Sequence, residues 1–253
     1  MALPRSLALA GIAAIVVAVG MIGSLHVTGP SAELDPMRRT ISQYALLETG
    51  HVFNTAVVVL ALGSAATLLA LVRTEIVPVR SMAALALLLW CVGLAAVVYF
   101  PKHNWAVGPS VEGTIHRYAS VVAFLSLPVA ALLVGRRWWR DPRWRTQARV
   151  STALGLVALL CFAPIAVAFV LYPFTGVPWW RAIPLGGVER LLAFVEVVAV
   201  VQLALWAIRA GSRGASAGAV RAGSRGGGAV RTGSRSGGAV RTGTRDSRNR
   251  AAS

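Results

Sequence analysis

Six stretches of the chain are nearly unbroken apolar runs, at residues 7–27, 51–72, 81–100, 116–135, 150–171 and 188–208, with short polar breaks between them. Each is about 20 residues long, enough at 1.5 Å per residue to cross roughly 30 Å of hydrocarbon. None alternates apolar with polar positions as membrane-barrel strands do, and only a helix satisfies its own backbone bonds within lipid. The pattern therefore predicts an all-α, polytopic membrane protein, a six-transmembrane-helix bundle over residues 1–208. Arg5 ahead of the first run resembles the start of a signal peptide. Its apolar core continues almost to His26, beyond the about 7 to 15 residues of a signal core, and reads as a retained anchor.

After residue 208 the pattern changes to Gly, Ala, Ser, Thr and Arg, with the near-copies "GAVRAGSRG", "GAVRTGSRS" and "GAVRTGTRD" recurring every ten residues. Residues 209–253 hold too little large apolar surface to offset chain entropy and are expected to form a disordered basic repeat tail. Its arginines suit contact with anionic lipids, each contributing about 1 kcal/mol near a charged surface.

Composition agrees with this division. Of 253 residues, 56% are hydrophobic and 13% charged, too few charges to solvate a soluble surface of this size. The net charge of +16 is not read as specific nucleic-acid binding, because the tail alone carries ten arginines against one aspartate. Cys91 and Cys161 both lie inside apolar runs, so no disulfide framework is indicated. Placing both termini in the cytoplasm puts 19 of the 25 basic residues inside, among them the block "RRWWRDPRWRTQAR" at 136–149. The positive-inside rule then favours this orientation, with the odd-numbered loops facing out. Trp138, Trp139 and Trp144 on one side, and Trp105, Tyr172, Trp179 and Trp180 on the other, fit interfacial belts, with "YPFTGVPWW" read as a proline-rich outer loop.

With that orientation the candidate chemistry concentrates outside. All four histidines, His26, His51, His103 and His116, fall there, as do Glu33, Asp35, Glu48, Glu112 and Glu189. On the second helix His51, Asn54 and Thr55 share a face, and on the fourth Glu112, His116 and Ser120 step by four. The last helix opens with Glu189 and Arg190 and carries Glu196 two turns deeper, where an ionised carboxylate costs roughly 2.5 to 3.5 kcal/mol. Three chemistries can use these residues. Zinc takes imidazole ligands, and His51, His103 and His116 are candidates, although no H-E-x-x-H run supports them. A nucleophile at Ser120, activated by His116 and oriented by Glu112, has the right residue types but no G-x-S-x-G elbow. A binding site would use Asp35, Arg38, Arg39, Ser42, His51, His116, Arg117, Glu189, Arg190 and Glu196, with arginines holding an anionic head.

Four short motifs carry a resemblance. "DPMRRTISQYAL" after the first helix, "YFPKHNW" closing the third, "GTIHRYAS" opening the fourth and "GGVERLLAF" opening the sixth resemble the bacterial integral membrane family catalogued as domain of unknown function 998. The resemblance covers residues 7–208 and implies a six-helix membrane protein with no assigned activity. The matching positions are Asp35, Arg39, Ser42, Tyr44, Pro101, His116, Glu189 and Arg190, whereas Lys102 or His103 stands where an acid is expected after the proline. Together these readings predict an outward polar pocket between the second, fourth and sixth helices that binds or moves a small or lipid-like ligand. The alternative is a membrane-embedded hydrolase, possibly zinc-dependent, acting on a lipid or cell-envelope substrate.

Overall fold

The computed structural model describes residues 2–104 and 108–226, with side chains up to residue 212. Among the described residues seven α-helices follow in order: α1 (Ala2–Ser24), α2 (Gly50–Arg73), α3 (Met82–Tyr99), α4 (Val111–Trp138), α5 (Arg145–Thr175), the single-turn α6 (Trp179–Ala182) and α7 (Leu185–Gly226). Among the described residues six of them, all but α6, are long and apolar enough to cross a membrane. Two 3-10 turns, Gly29–Glu33 and Ile41–Leu46, shape the long first loop between α1 and α2.

The spans fall where the apolar runs predict them, and the ends differ for local reasons. α4 starts five residues before the expected position 116 because the Ser110 hydroxyl accepts from the Gly113 N–H at 3.1 Å, capping the helix ahead of the apolar run. α5 runs through Pro164 and Pro173 instead of breaking at "YPF", and stops at Gly176, whose φ of 66° supplies the left-handed cap. A proline removes one backbone donor, and near a helix end that loss does not stop the remaining turn. α7 continues past residue 208 to Gly226, so the first part of the repeat is helical; residues 227–253, like Trp105, lie outside the described residues.

Helices adjacent in sequence pack in succession, α1 on α2, α2 on α3, α3 on α4 and α4 on α5. Lipid gives no hydrophobic drive for this association, so close approach at small residues must supply it. A Cβ on Gly63 would lie 2.9 Å from the Ala14 Cβ and 2.9 Å from the Gly11 carbonyl oxygen, and one on Gly93 would lie 3.0 Å from the Ala123 Cβ. Polar groups add specific ties within this core. Trp90 donates its indole N–H to the Ser64 hydroxyl at 3.0 Å across α2 and α3, and the Ser151 hydroxyl donates to the Ala131 carbonyl at 3.0 Å across α4 and α5.

α7 is the central element: half of its spanning window (50%) is buried, against 17% for α5 on the periphery. Its Leu203, Ala204, Trp206 and Ala207 join the main core with residues of α1 to α4. At the end where α2 and α4 finish, Trp138 donates to the Ile76 carbonyl at 2.9 Å and the buried Trp144 lies against Trp206. Cys91 and Cys161 are free and half-buried. The opposite end gathers the loops after α1, α3 and α5, and carries the polar residues considered next.

The α1–α2 contact is testable. Gly63→Val is expected to push the two helices apart, costing about 2 kcal/mol and lowering the thermal midpoint in detergent. Leu62→Val, at a neighbouring position 65% exposed toward lipid, leaves the midpoint unchanged. Equal melting of the two variants would contradict this packing.

Candidate functional site

The first loop is not a free connector, because α7 is built to receive it. A Cβ at Gly186 would collide with the carbonyl oxygens of Pro36 and Arg39, and one at Gly187 would lie 2.8 Å from the Met37 Cε. The paired glycines of "GGVERLLAF" therefore let loop backbone rest directly on the first turn of α7, where Gly187 donates its N–H to the Met37 carbonyl at 3.2 Å.

Arg190, one turn further, closes the junction. Its Nε donates to His26 Nε2 at 2.8 Å, and its Nη1 reaches the carbonyls of Pro36 at 2.7 Å, Arg39 at 2.6 Å and Gly186 at 3.1 Å. Its Nη2 donates to the Tyr44 hydroxyl at 3.1 Å, and the guanidinium carbon lies 5.8 Å from the centre of that ring. His26 can accept because its Nδ1–H is committed to the Ile22 carbonyl at 2.9 Å, which leaves Nε2 as the acceptor. Tyr44, 1% exposed, stands edge-on to His26 with ring centres 5.4 Å apart. Arg190, expected as a ligand contact, thus spends its donors on the protein itself.

Glu189 turns the other way. Its buried carboxyl takes hydrogen bonds from the backbone N–H groups of Ile41 and Ser42, with Lys102 and Arg190 as neighbouring cations. Lys102 extends from the loop after α3 and donates to the Thr40 hydroxyl and, at 3.0 Å, to the Ser42 hydroxyl. Burial pushes the Lys102 ammonium below its ordinary pKa, Glu189 pulls it back up, and Arg117 and Arg39 press it further down. The lysine standing where an acid was expected is thus the third loop's link to the first.

These residues wall a cavity of about 680 Å³. Arg38, Arg39, Lys102, Arg117 and Arg181 supply cations, Glu189 the carboxylate, and Phe124, Phe162, Trp179 and Trp180 an apolar flank. Arg39, His116 and Glu189, from three separate parts of the chain, all line this cavity. The expected fourth and sixth spans, α4 and α7, line this wall, but α5 and α6 stand where the second span was expected: α2 contributes nothing to it. Sequence periodicity marks a polar face without saying which helices are neighbours, which is why α5 and α6 were missed.

His116, 4% exposed, is fixed by a 2.9 Å contact between Nδ1 and the Phe100 carbonyl. A carbonyl only accepts, so Nδ1 carries the proton and Nε2 presents a lone pair. That Nε2 has no hydrogen-bond partner among the described residues, although the imidazole lines the cavity. His103 takes the opposite tautomer: its Nδ1 accepts from the Ser110 N–H at 2.9 Å, and it lies so close to Gly113 that a Cβ there would collide with it. Burial and the nearby cations Arg117 and Lys102 hold His103 below its ordinary pKa.

Other candidates are not brought together. Ser120 donates its hydroxyl to the His116 carbonyl at 2.9 Å, a bond within its own helix, and Glu112 is exposed and off the cavity wall. Glu112, His116 and Ser120 therefore share a helix without forming a relay. His51 is exposed, its Nδ1 bound to the Glu48 carbonyl at 3.2 Å, and Asp35 accepts from the Met37 N–H at 2.9 Å in a local turn. Among the described residues no three His, Cys, Asp or Glu side chains gather as metal ligands, so the donor set for zinc at His51, His103 and His116 does not assemble. Glu196 is fully buried on α7, both carboxyl oxygens lack a partner among the described residues, and it lies off this wall.

The six bilayer-length helices among the described residues make this a multi-pass membrane protein, with the basic cavity at one end of them. Residues 8–206 match the family described as "Protein of unknown function (DUF998)", and the chain belongs to that family. No curated protein and no solved structure matches the chain.

The Arg190 junction makes a specific prediction. Arg190→Ala is expected to destabilise the protein by about 3 kcal/mol and to make residues 34–40 susceptible to protease. Arg190→Lys rescues little, since one ammonium cannot reach acceptors spread over both sides of a planar fork. Wild-type melting and protease resistance in Arg190→Lys would contradict the clamp.

Proposed function

We propose that the protein binds an anionic amphiphile, a lipid-like molecule with a phosphate or carboxylate head, in a cavity that opens on the outer side of a prokaryotic plasma membrane. Both termini are then cytoplasmic, as the distribution of 19 inner and six outer basic residues favours. The observation that carries the reading is the makeup of the wall: five cations against one carboxylate, bordered by two phenylalanines and two tryptophans.

Charge and partners distinguish the roles of these groups. Arg38, Arg39, Arg117 and Arg181 are exposed and form the mouth, where guanidinium forks match carboxylate or phosphate oxygens. Lys102 and Glu189 lie deeper and are already engaged with the first loop, so they position Thr40 and Ser42 as the neutral floor. His116 offers Nε2 as an acceptor for a hydroxyl proton on the ligand's head. Hydrolysis has less support, because Ser120 and His116 are turned to separate partners.

Arg117→Ala and Arg38→Ala should each weaken binding of dodecyl sulfate to the purified protein about tenfold, with a steep loss of affinity as salt rises. Sulfate does not titrate in this range, so any pH dependence comes from the protein. The lowered pKa of Lys102 makes its charge disappear below the ordinary lysine range, and binding should weaken as pH rises through that window. Lys102→Met removes the step. Binding of dodecyl sulfate that ignores all three substitutions and salt would overturn the proposal.

A further inference from the structure

Beside the basic cavity lies a second one, of about 360 Å³, between α1, α2, α3, α4 and α7, open on the side lined by the exposed Val19 and Phe194. Ser42, Ser120, Phe124 and Glu189 line both, so the two spaces adjoin across a shared collar of these four side chains. Beyond the collar the wall is apolar: Phe53, Leu60, Trp90, Leu94, Val97 and Val197 face the space. The one indole N–H there, that of Trp90, is already bonded to Ser64 at 3.0 Å. The other polar lining groups, His26 and Arg190, are bonded to one another at 2.8 Å. Such a wall offers water few partners and suits hydrocarbon.

We infer that this inner chamber holds the hydrocarbon chain of the same amphiphile whose head sits among the cations, so that the ligand class is a single-chain or chain-donating anionic lipid. The inference rests on the reading above and adds to it where the tail goes. The collar sets the geometry: a head held at Arg39 and Arg117 places the first methylenes between Phe124 and the Ser42 and Ser120 hydroxyls. Those two hydroxyls are occupied, Ser120 donating to His116 and Ser42 accepting from Lys102, so the passage presents little unmet polarity to a chain. Glu189, whose carboxyl is turned to loop backbone and Lys102, stands beside the passage and keeps a second anionic group from entering.

The test uses the full chain in phosphatidylcholine nanodiscs and a series of n-alkyl phosphates from butyl to dodecyl, with free ligand measured by dialysis and binding to empty discs subtracted. Affinity should rise about fourfold per added methylene until the chamber is full, then level off. Ala193→Phe on α7 and Val97→Phe on α3 fill the chamber from different walls. Each should bring the plateau to chains shorter by about two carbons while leaving butyl phosphate affinity within about twofold, which also reports that the variant has folded. An affinity independent of chain length in the wild type, as when bilayer lipid already occupies the chamber, overturns the inference while butyl phosphate binding leaves the head-group site standing. A plateau that neither substitution moves overturns it in the same way. Absence of any phosphate binding across the series overturns the proposed function itself.

Discussion

The guanidinium of Arg190 is where the last spanning helix takes hold of the first loop. It gathers carbonyl oxygens from Pro36 and Arg39, a tyrosine hydroxyl and a histidine nitrogen, all from residues about 150 positions earlier. Charged donors to several neutral acceptors are among the stronger polar contacts available, and at a membrane surface they also spare loop carbonyls from being left unpaired beside lipid. Gly186 and Gly187 make the approach possible by having no Cβ in the way. Once the loop is seated, Ile41 and Ser42 face the Glu189 carboxyl and Thr40 comes within reach of Lys102, which ties in the loop after α3. The cavity wall is a consequence of this order of contacts.

That dependence separates two kinds of arginine. Arg190 has protein acceptors on all three of its nitrogens, whereas Arg38, Arg39, Arg117 and Arg181 are exposed around the opening. A basic mouth above an apolar interior is the distribution that an anionic head and a hydrocarbon tail require together. Glu196 stands apart from it: buried on α7 beside the small cluster of Leu192, Val195 and Ala158, its oxygens lack protein partners among the described residues, and neither cavity reaches it.

The spans were legible because lipid imposes length and apolarity on each segment independently of its neighbours. Their ends were less so, since they depend on single local bonds such as the Ser110 cap and the Gly176 left-handed turn. Within the site, Arg39, His116 and Glu189 were recognisable as polar residues near one surface. What could not be read was partnership. Nothing in "GGVERLLAF" says that its arginine would turn to carbonyls of the first loop, or that its glycines clear space for them. The i+4 stripe of Glu112, His116 and Ser120 suggested a relay, but a serine hydroxyl inside a helix commonly bonds the carbonyl one turn back, as Ser120 does. Lys102 appeared as a departure from an expected acid, and only the fold makes it the bridge between two loops.

The most direct measurement is amide hydrogen exchange on the full chain in nanodiscs, with and without dodecyl phosphate. Ligand is expected to slow exchange at residues 38–43, in the loop after α3 and at the start of α4, with the lipid-facing part of α5 unaffected. Unchanged exchange at those loops, or slowing confined to the lipid-facing part of α5, would contradict the head-group site.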